Sequence, residues 1–101
     1  MTRAVLGVDI GTSSTKGVLV DAEGAVLRTT VRAHEPSRPG PGRVEMDGEL
    51  WWEEFVGIAE ELTAGGDVEV VAVGVSGMGP CVLLTDAEGT PLRPAILYGV
   101  D

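Results

Sequence analysis

Residues 7–16 read Gly7-Val8-Asp9-Ile10-Gly11-Thr12-Ser13-Ser14-Thr15-Lys16 and continue the apolar run that begins at Ala4. A short aliphatic run closed by Gly and Ser predicts a buried strand that ends in a turn. A carboxylate at the end of such a strand is costly unless it is paired or bound to a metal. The glycine permits a tight turn that exposes backbone N–H groups, the hydroxyls add donors, and Lys16 adds a cation. Together these residues make a concavity for phosphate oxygens. Asp9 would hold a hydrated Mg²⁺ bridging the phosphates, a hard cation on a hard oxygen ligand. The alternative is a plain hairpin turn in which Asp9 bonds nearby amides.

Two other glycine-rich readings fail on context. A Walker A loop needs Gly-x-x-x-x-Gly-Lys-Ser/Thr with a helix after it, whereas the strand-like Gly17-Val18-Leu19-Val20 follows Lys16. Gly74, Gly77 and Gly79 have the wrong spacing for a dinucleotide fingerprint, and Pro80 leads into another strand.

Working outward, Asp21-Ala22-Glu23-Gly24 separates that second run from a third, Ala25 to Val31, which predicts a three-stranded meander. His34 to Gly42 contains Pro36, Pro39 and Pro41 and is expected to be an exposed connection without ladder hydrogen bonds. Its histidine is expected to be solvated. Asp47 can cap a helix running to about Leu62, with Trp51, Phe55, Ile58 and Leu62 on its core face. Trp52 is read as packing against the proline segment, with padding a sugar face as the alternative. Glu53, Glu54, Glu60 and Glu61 are read as a solvated helix face. Gly65-Gly66 ends the helix. The β-branched Val68 to Val75 predicts a central strand buried on both faces. Cys81 to Thr85 and Pro94 to Tyr98 are further extended runs around a turn at Asp86-Ala87-Glu88-Gly89. That turn repeats the earlier Asp-Ala-Glu-Gly string, read as convergence on a good turn because the flanking elements differ. The predicted order is β-β-β-α-β-β.

Composition bounds the partners. The chain has 101 residues, and 16 acids against 7 bases give a net charge of -9, which argues against a nucleic-acid partner. Apolar residues at 44% predict a packed core, and aromatics at 4% make that core aliphatic. Cys81 is the one cysteine, which excludes an internal disulfide and a multi-cysteine zinc site, and it is read as a small buried apolar residue. Met1-Thr2-Arg3 leads into an apolar run that stops at Asp9, unlike a signal peptide, and no segment approaches bilayer-spanning length. The expectation is a soluble, cytoplasmic α/β chain with no membrane partner. Its last strand-like run has no closing helix, so residues 1–101 are expected to be one partial domain.

Asp9-x-Gly11-Thr12-x-x-x-Lys16, followed by a strand and hairpin, resembles the first phosphate motif of the actin-like ATPase superfamily. Val44-Glu45-Met46-Asp47-Gly48-Glu49-Leu50-Trp51-Trp52 looks like the acidic, tryptophan-bearing helix entry of the FGGY family of carbohydrate kinases. Val73-Gly74-Val75-Ser76-Gly77-Met78 and Leu92-Arg93-Pro94-Ala95-Ile96-Leu97-Tyr98 resemble that family's next segments in order. The resemblance implies a ribonuclease-H-like fold and an ATP-dependent kinase acting on a hydroxyl of a sugar or polyol. It implies that Asp9 contacts Mg²⁺ through water, that Gly11, Thr12 and Ser13 line the ATP phosphates, and that Lys16 offsets their charge. It also implies that the catalytic base and a second domain lie beyond residue 101, so that residues 1–101 alone would be inactive. Self-association stays open.

The departures bear on the acceptor. Xylulose kinases of this family carry Gln-Met-His after the fourth strand and glycerol kinases carry Gln-Arg-Glu. Here the stretch is Met78-Gly79-Pro80, so neither specificity carries over. Met78, Gly79, Pro80, Tyr98 and Asp101 are the candidate substrate positions, with a solvated loop acid as the alternative for Asp101. A rival class is an ATPase of the same superfamily, such as a dehydratase activator, that uses ATP to change shape.

Overall fold

The computed structural model describes residues 1–97. The expected meander is present: β1 (Thr2–Ile10), β2 (Ser14–Asp21) and β3 (Val26–Ala33) pair antiparallel in sequence. The β2–β3 turn is set by Asp21, whose Oδ1 accepts the amides of Glu23 and Ala25 at 2.9 Å. Gly24 takes the left-handed conformation (φ 88°) that completes it. The second Asp-Ala-Glu-Gly string repeats this geometry, with Asp86 Oδ1 accepting from Glu88 and Thr90 and Gly89 at φ 86°. The same local chemistry therefore serves two different surroundings.

The proline-rich segment departs from expectation. It folds as a hairpin of β4 (Ser37–Gly40) and β5 (Arg43–Met46) rather than an exposed connection. Pro39 is tolerated because β4 is the outer strand of its sheet, where a missing N–H breaks no ladder. Helix α1 (Gly48–Leu62) follows as expected, capped by Asp47, whose side chain accepts the Glu49 amide at 3.0 Å. Strands β6 (Val68–Gly77), β7 (Cys81–Val82) and β8 (Ala95–Leu97) complete the described chain. The run expected to Thr85 thus ends at Val82, with an isolated bridge from Thr85 to Pro91 beyond it. The observed order is β-β-β-β-β-α-β-β-β, in two sheets ordered β3-β2-β1-β6 and β4-β5-β8-β7.

The first sheet packs one face on α1. Alternate residues Ala4, Leu6 and Val8 of β1, with Leu19 of β2, meet Ile58 and Leu62 in one apolar cluster. Each buried Val, Leu or Ile side chain there contributes about 1.5–3 kcal/mol. Gly17 lets the helix lie this close: a Cβ at that position would stand 2.2 Å from Ile58 Cγ2. Arg28 ties β3 to the helix end, donating to the Leu62 carbonyl at 2.6 Å and to Asp67 at 2.6 Å. That hydrogen bond holds the Asp67 carboxyl below its ordinary range. A second cluster of Val44, Met46, Ala95 and Leu97 joins the other sheet, with Trp51 of α1 packed on it.

β6 corrects another expectation. It pairs parallel with β1 but lies at the sheet's outer edge, and Val70, Val71, Val73 and Val75 are exposed. α1 packs mainly over β2 and β3, and these valines stay 37–60% exposed. Among the described residues, no helix is long and apolar enough to cross a membrane.

Candidate functional site

Asp9 and Lys16 stand opposite one another in the β1–β2 ladder, so both side chains lie on the same sheet face. That face is turned away from α1: Thr15, the next residue, points to the helix side and is fully buried, whereas Asp9 and Lys16 are exposed. Neither charge enters an ion pair among the described residues. Asp9 Oδ1 accepts from Ser76 Oγ at 2.8 Å, a cross-strand contact that fixes the carboxylate against β6. An open depression of about 550 Å³ runs along this face past Asp9, Lys16, Gly74 and Ser76.

The loop between the two strands is short and closed on itself. The Gly11 amide donates to the Ser14 carbonyl at 2.8 Å, and a Cβ on Gly11 would stand 3.1 Å from that oxygen. Gly11 therefore shapes the turn, its own N–H being used within it. Ser13 is exposed at the tip, and the Thr12 hydroxyl donates to Met78 Sδ at 3.2 Å. The Met78 amide donates to the Ile10 carbonyl at 2.9 Å, so the end of β6 is fastened beside the end of β1. The predicted phosphate residues and the first predicted substrate residue are thus brought together at one end of the sheet. Met78, Ser76, Ile10, Trp51 and Cys81 line a hollow of about 210 Å³ between the two sheets. Gly79 and Pro80, joined by a cis peptide bond, follow Met78 into β7. Tyr98 and Asp101 lie outside the described residues.

Two residues read as solvated are not. His34 has a side chain 3% exposed and Glu54 one 9% exposed, and they meet at 2.9 Å between His34 Nδ1 and Glu54 Oε1. His34 Nε2 lies 2.8 Å from the Gly11 carbonyl, and the Thr15 hydroxyl donates to Glu54 Oε1 at 2.7 Å. The cause is positional: β3 runs to Ala33 and delivers His34 directly behind the loop. One signal was present, because Glu54 lies three residues after Trp51 and four before Ile58, on the helix's inward stripe. The other acids of that face behave as expected, Glu53 and Glu60 being outside the buried set and Glu61 exposed and paired with Arg32.

Trp52 is exposed and stacks on Phe55, with ring centroids 5.5 Å apart, rather than packing on the proline segment. Trp51 Nε1 donates to Met46 Sδ at 2.8 Å. Cys81 is half-buried against the second cluster, and desolvation pushes its thiol above the ordinary range, which fits packing rather than nucleophilic chemistry.

Among the described residues, no group of three or more His, Cys, Asp or Glu could enclose a metal. An exposed single carboxylate beside a lysine and a hydroxyl-bearing loop does fit Mg²⁺ that keeps most of its waters and phosphate ligands.

Residues 4–100 match the family model described as the FGGY family of carbohydrate kinases, N-terminal domain. The chain is 32% identical over 95 residues to the xylulose kinase of Staphylococcus xylosus, covering 93% of this chain and 20% of that protein. The crystal structure of xylulose kinase from Rhodospirillum rubrum superposes with a TM-score of 0.86 at 37% identity, over 94% of this chain and 20% of the other. Plasmodium falciparum glycerol kinase, solved with ADP, shares the fold at a TM-score of 0.83 and 22% identity, over 95% of this chain and 20% of that one. The chain therefore spans about a fifth of the length of the relatives it matches.

Proposed function

Because this chain belongs to the FGGY family of carbohydrate kinases, as its match to that family's N-terminal domain shows, we propose that it forms the opening part of an ATP-dependent sugar or polyol kinase. The observation that carries this reading is the placement of Asp9 and Lys16 on one open face beside a closed, hydroxyl-bearing loop. In the longer protein, Mg-ATP supplies the phosphoryl group and its metal offsets the phosphate charge. Asp9, steadied by Ser76, orders the water shell of that metal. Lys16 stabilises phosphate oxygens electrostatically, and Ser13, exposed at the loop tip beside Thr12, offers its hydroxyl as a donor. Gly11 contributes the turn. In phosphoryl transfer such positioning and charge compensation supply most of what a protein can give.

The acceptor site lies across the same end of the sheet. The hollow between the sheets, with Met78 at its rim and Gly79-Pro80 beyond it, is the part of this chain that faces the sugar. Its lining is mostly apolar, so the groups that read the acceptor's hydroxyls come from elsewhere in the protein, Tyr98 and Asp101 being the nearest in sequence. The catalytic base and the second domain belong to the part that corresponds to the other four-fifths of its relatives, and the exposed valines of β6 support such a continuation. Residues 1–101 alone are then inactive, and the kinase works in the cytoplasm, where ATP is.

The test is the fate of the γ-phosphoryl group when the full-length protein is given Mg-ATP and a panel of ketoses, aldoses and polyols. Transfer to one acceptor class supports the reading. Release as inorganic phosphate, indifferent to every acceptor, would replace it with an ATPase that uses the nucleotide to change shape.

A further inference from the structure

The loop that carries the phosphate residues is held from behind at alternate positions, by two side chains at Gly11 and Thr15 and by a backbone amide at Ser13. The His34 amide donates to the Ser13 carbonyl at 3.0 Å, and its ring nitrogen Nε2 lies 2.8 Å from the Gly11 carbonyl. A carbonyl only accepts, so Nε2 is the donor. The other ring nitrogen lies 2.9 and 3.2 Å from the two Glu54 carboxyl oxygens. Glu54 Oε1 in turn accepts from Thr15 Oγ1 at 2.7 Å. Residues 11, 13 and 15 are thereby tied to β3 and α1, while Asp9 and Lys16 face the opposite side. A buried carboxylate with only one short-range partner would be a costly feature of a core, so its satisfaction by both loop and imidazole makes the three groups one unit.

We propose that His34 and Glu54 are positioning residues for phosphoryl transfer, fixing the Gly11–Thr15 loop in the shape that receives the phosphates. The proposal rests on the reading of that loop as the phosphate site. Neither residue reaches the open face, so they act through the loop and not on the nucleotide. A displacement of about 1 Å in such a site can cost on the order of 100-fold in rate. The sugar hollow is lined by neither residue, so acceptor binding is outside their reach.

The decisive variant in the full-length protein is His34→Leu/Glu54→Leu. Replacing both leaves no buried charge but destabilises by taking the acceptor from the buried Thr15 hydroxyl, whereas His34→Leu alone strands Glu54. The double variant is expected to lower kcat about 10- to 100-fold. Its KM for Mg-ATP should rise and its KM for the acceptor stay unchanged. Amide hydrogen exchange should accelerate over residues 11–15 and not across β1, β3 and α1. Glu54→Gln supplies the rescue: its amide donates to His34 Nδ1 and its carbonyl still accepts from Thr15, so kcat and loop exchange return to wild type. Wild-type kcat with wild-type loop exchange in the double variant overturns the proposal. So does faster exchange throughout the sheet, which would make the pair a stability element. If the wild-type protein phosphorylates no acceptor, the kinase reading fails. Mg-ADP affinity and loop exchange then decide the positioning role, unchanged values in the double variant refuting it.

Discussion

Replacing Gly17 by alanine tests the packing that sets α1 against the sheet. The added Cβ would stand 2.2 Å from Ile58 Cγ2, 3.5 Å from Ile58 Cβ and 3.3 Å from Leu62 Cδ1. Carbon atoms pack best at about 3.5–4.0 Å, so the nearest contact must open by more than about 1 Å. Ile58 cannot give way easily, since it is fully buried and a β-branched residue in a helix has one strongly preferred rotamer. The helix must move instead, at a cost of about 1–3 kcal/mol. In urea this lowers the midpoint by roughly 1 M for a slope of about 2 kcal/mol/M, readable by fluorescence of Trp51 and Trp52. Ile58→Ala alone should cost about 2–5 kcal/mol through its cavity. Combined with Gly17→Ala it should cost less than the sum by about 1 kcal/mol, because it removes the clashing methyl. A Gly17→Ala variant within about 0.5 kcal/mol of the parent, or strict additivity with Ile58→Ala, would refute the close approach.

Lys16→Ala in the full-length protein should raise the KM for Mg-ATP or lower kcat, and leave the acceptor KM alone; steady-state kinetics with each substrate varied would show it, and an effect confined to the acceptor would contradict the role. Cys81 should react with iodoacetamide at pH 8 more slowly than a free thiol, because burial favours its neutral form, and unfolding in urea should restore the ordinary rate.

The elements with local signatures were legible in the chain. The meander follows from apolar alternation and an Asx-type turn at Asp21, and α1 from Asp47 and its apolar stripe. The second sheet was not, because its register pairs Glu45 with Ile96 and Cys81 with Leu97, contacts across long separations that no short window contains. Proline content hid β4 and β5, since the rule against proline in sheets relaxes at an edge. The valine run of β6 promised burial on both faces, but burial depends on what lies beside a strand, and α1 reaches only its neighbours. In the site, Asp9 and Lys16 are ladder partners on β1 and β2, and Thr12 lies in the loop between those strands. His34 and Glu54 read as solvated in the sequence because their meeting joins the end of one strand to the middle of a helix 20 residues away.

The most direct test of Asp9 as the metal-organising group is acceptor-dependent ADP release by wild-type full-length protein and its Asp9→Asn variant, measured across a Mg²⁺ titration. The substitution keeps the side chain's shape and its hydrogen bond from Ser76 while removing the charge. Asp9→Asn is expected to fold normally and to lose at least about 100-fold in kcat/KM, a transition-state loss of about 2.7 kcal/mol or more. Wild-type turnover by Asp9→Asn at every Mg²⁺ concentration would contradict the assignment and return the loop to an ordinary hairpin turn.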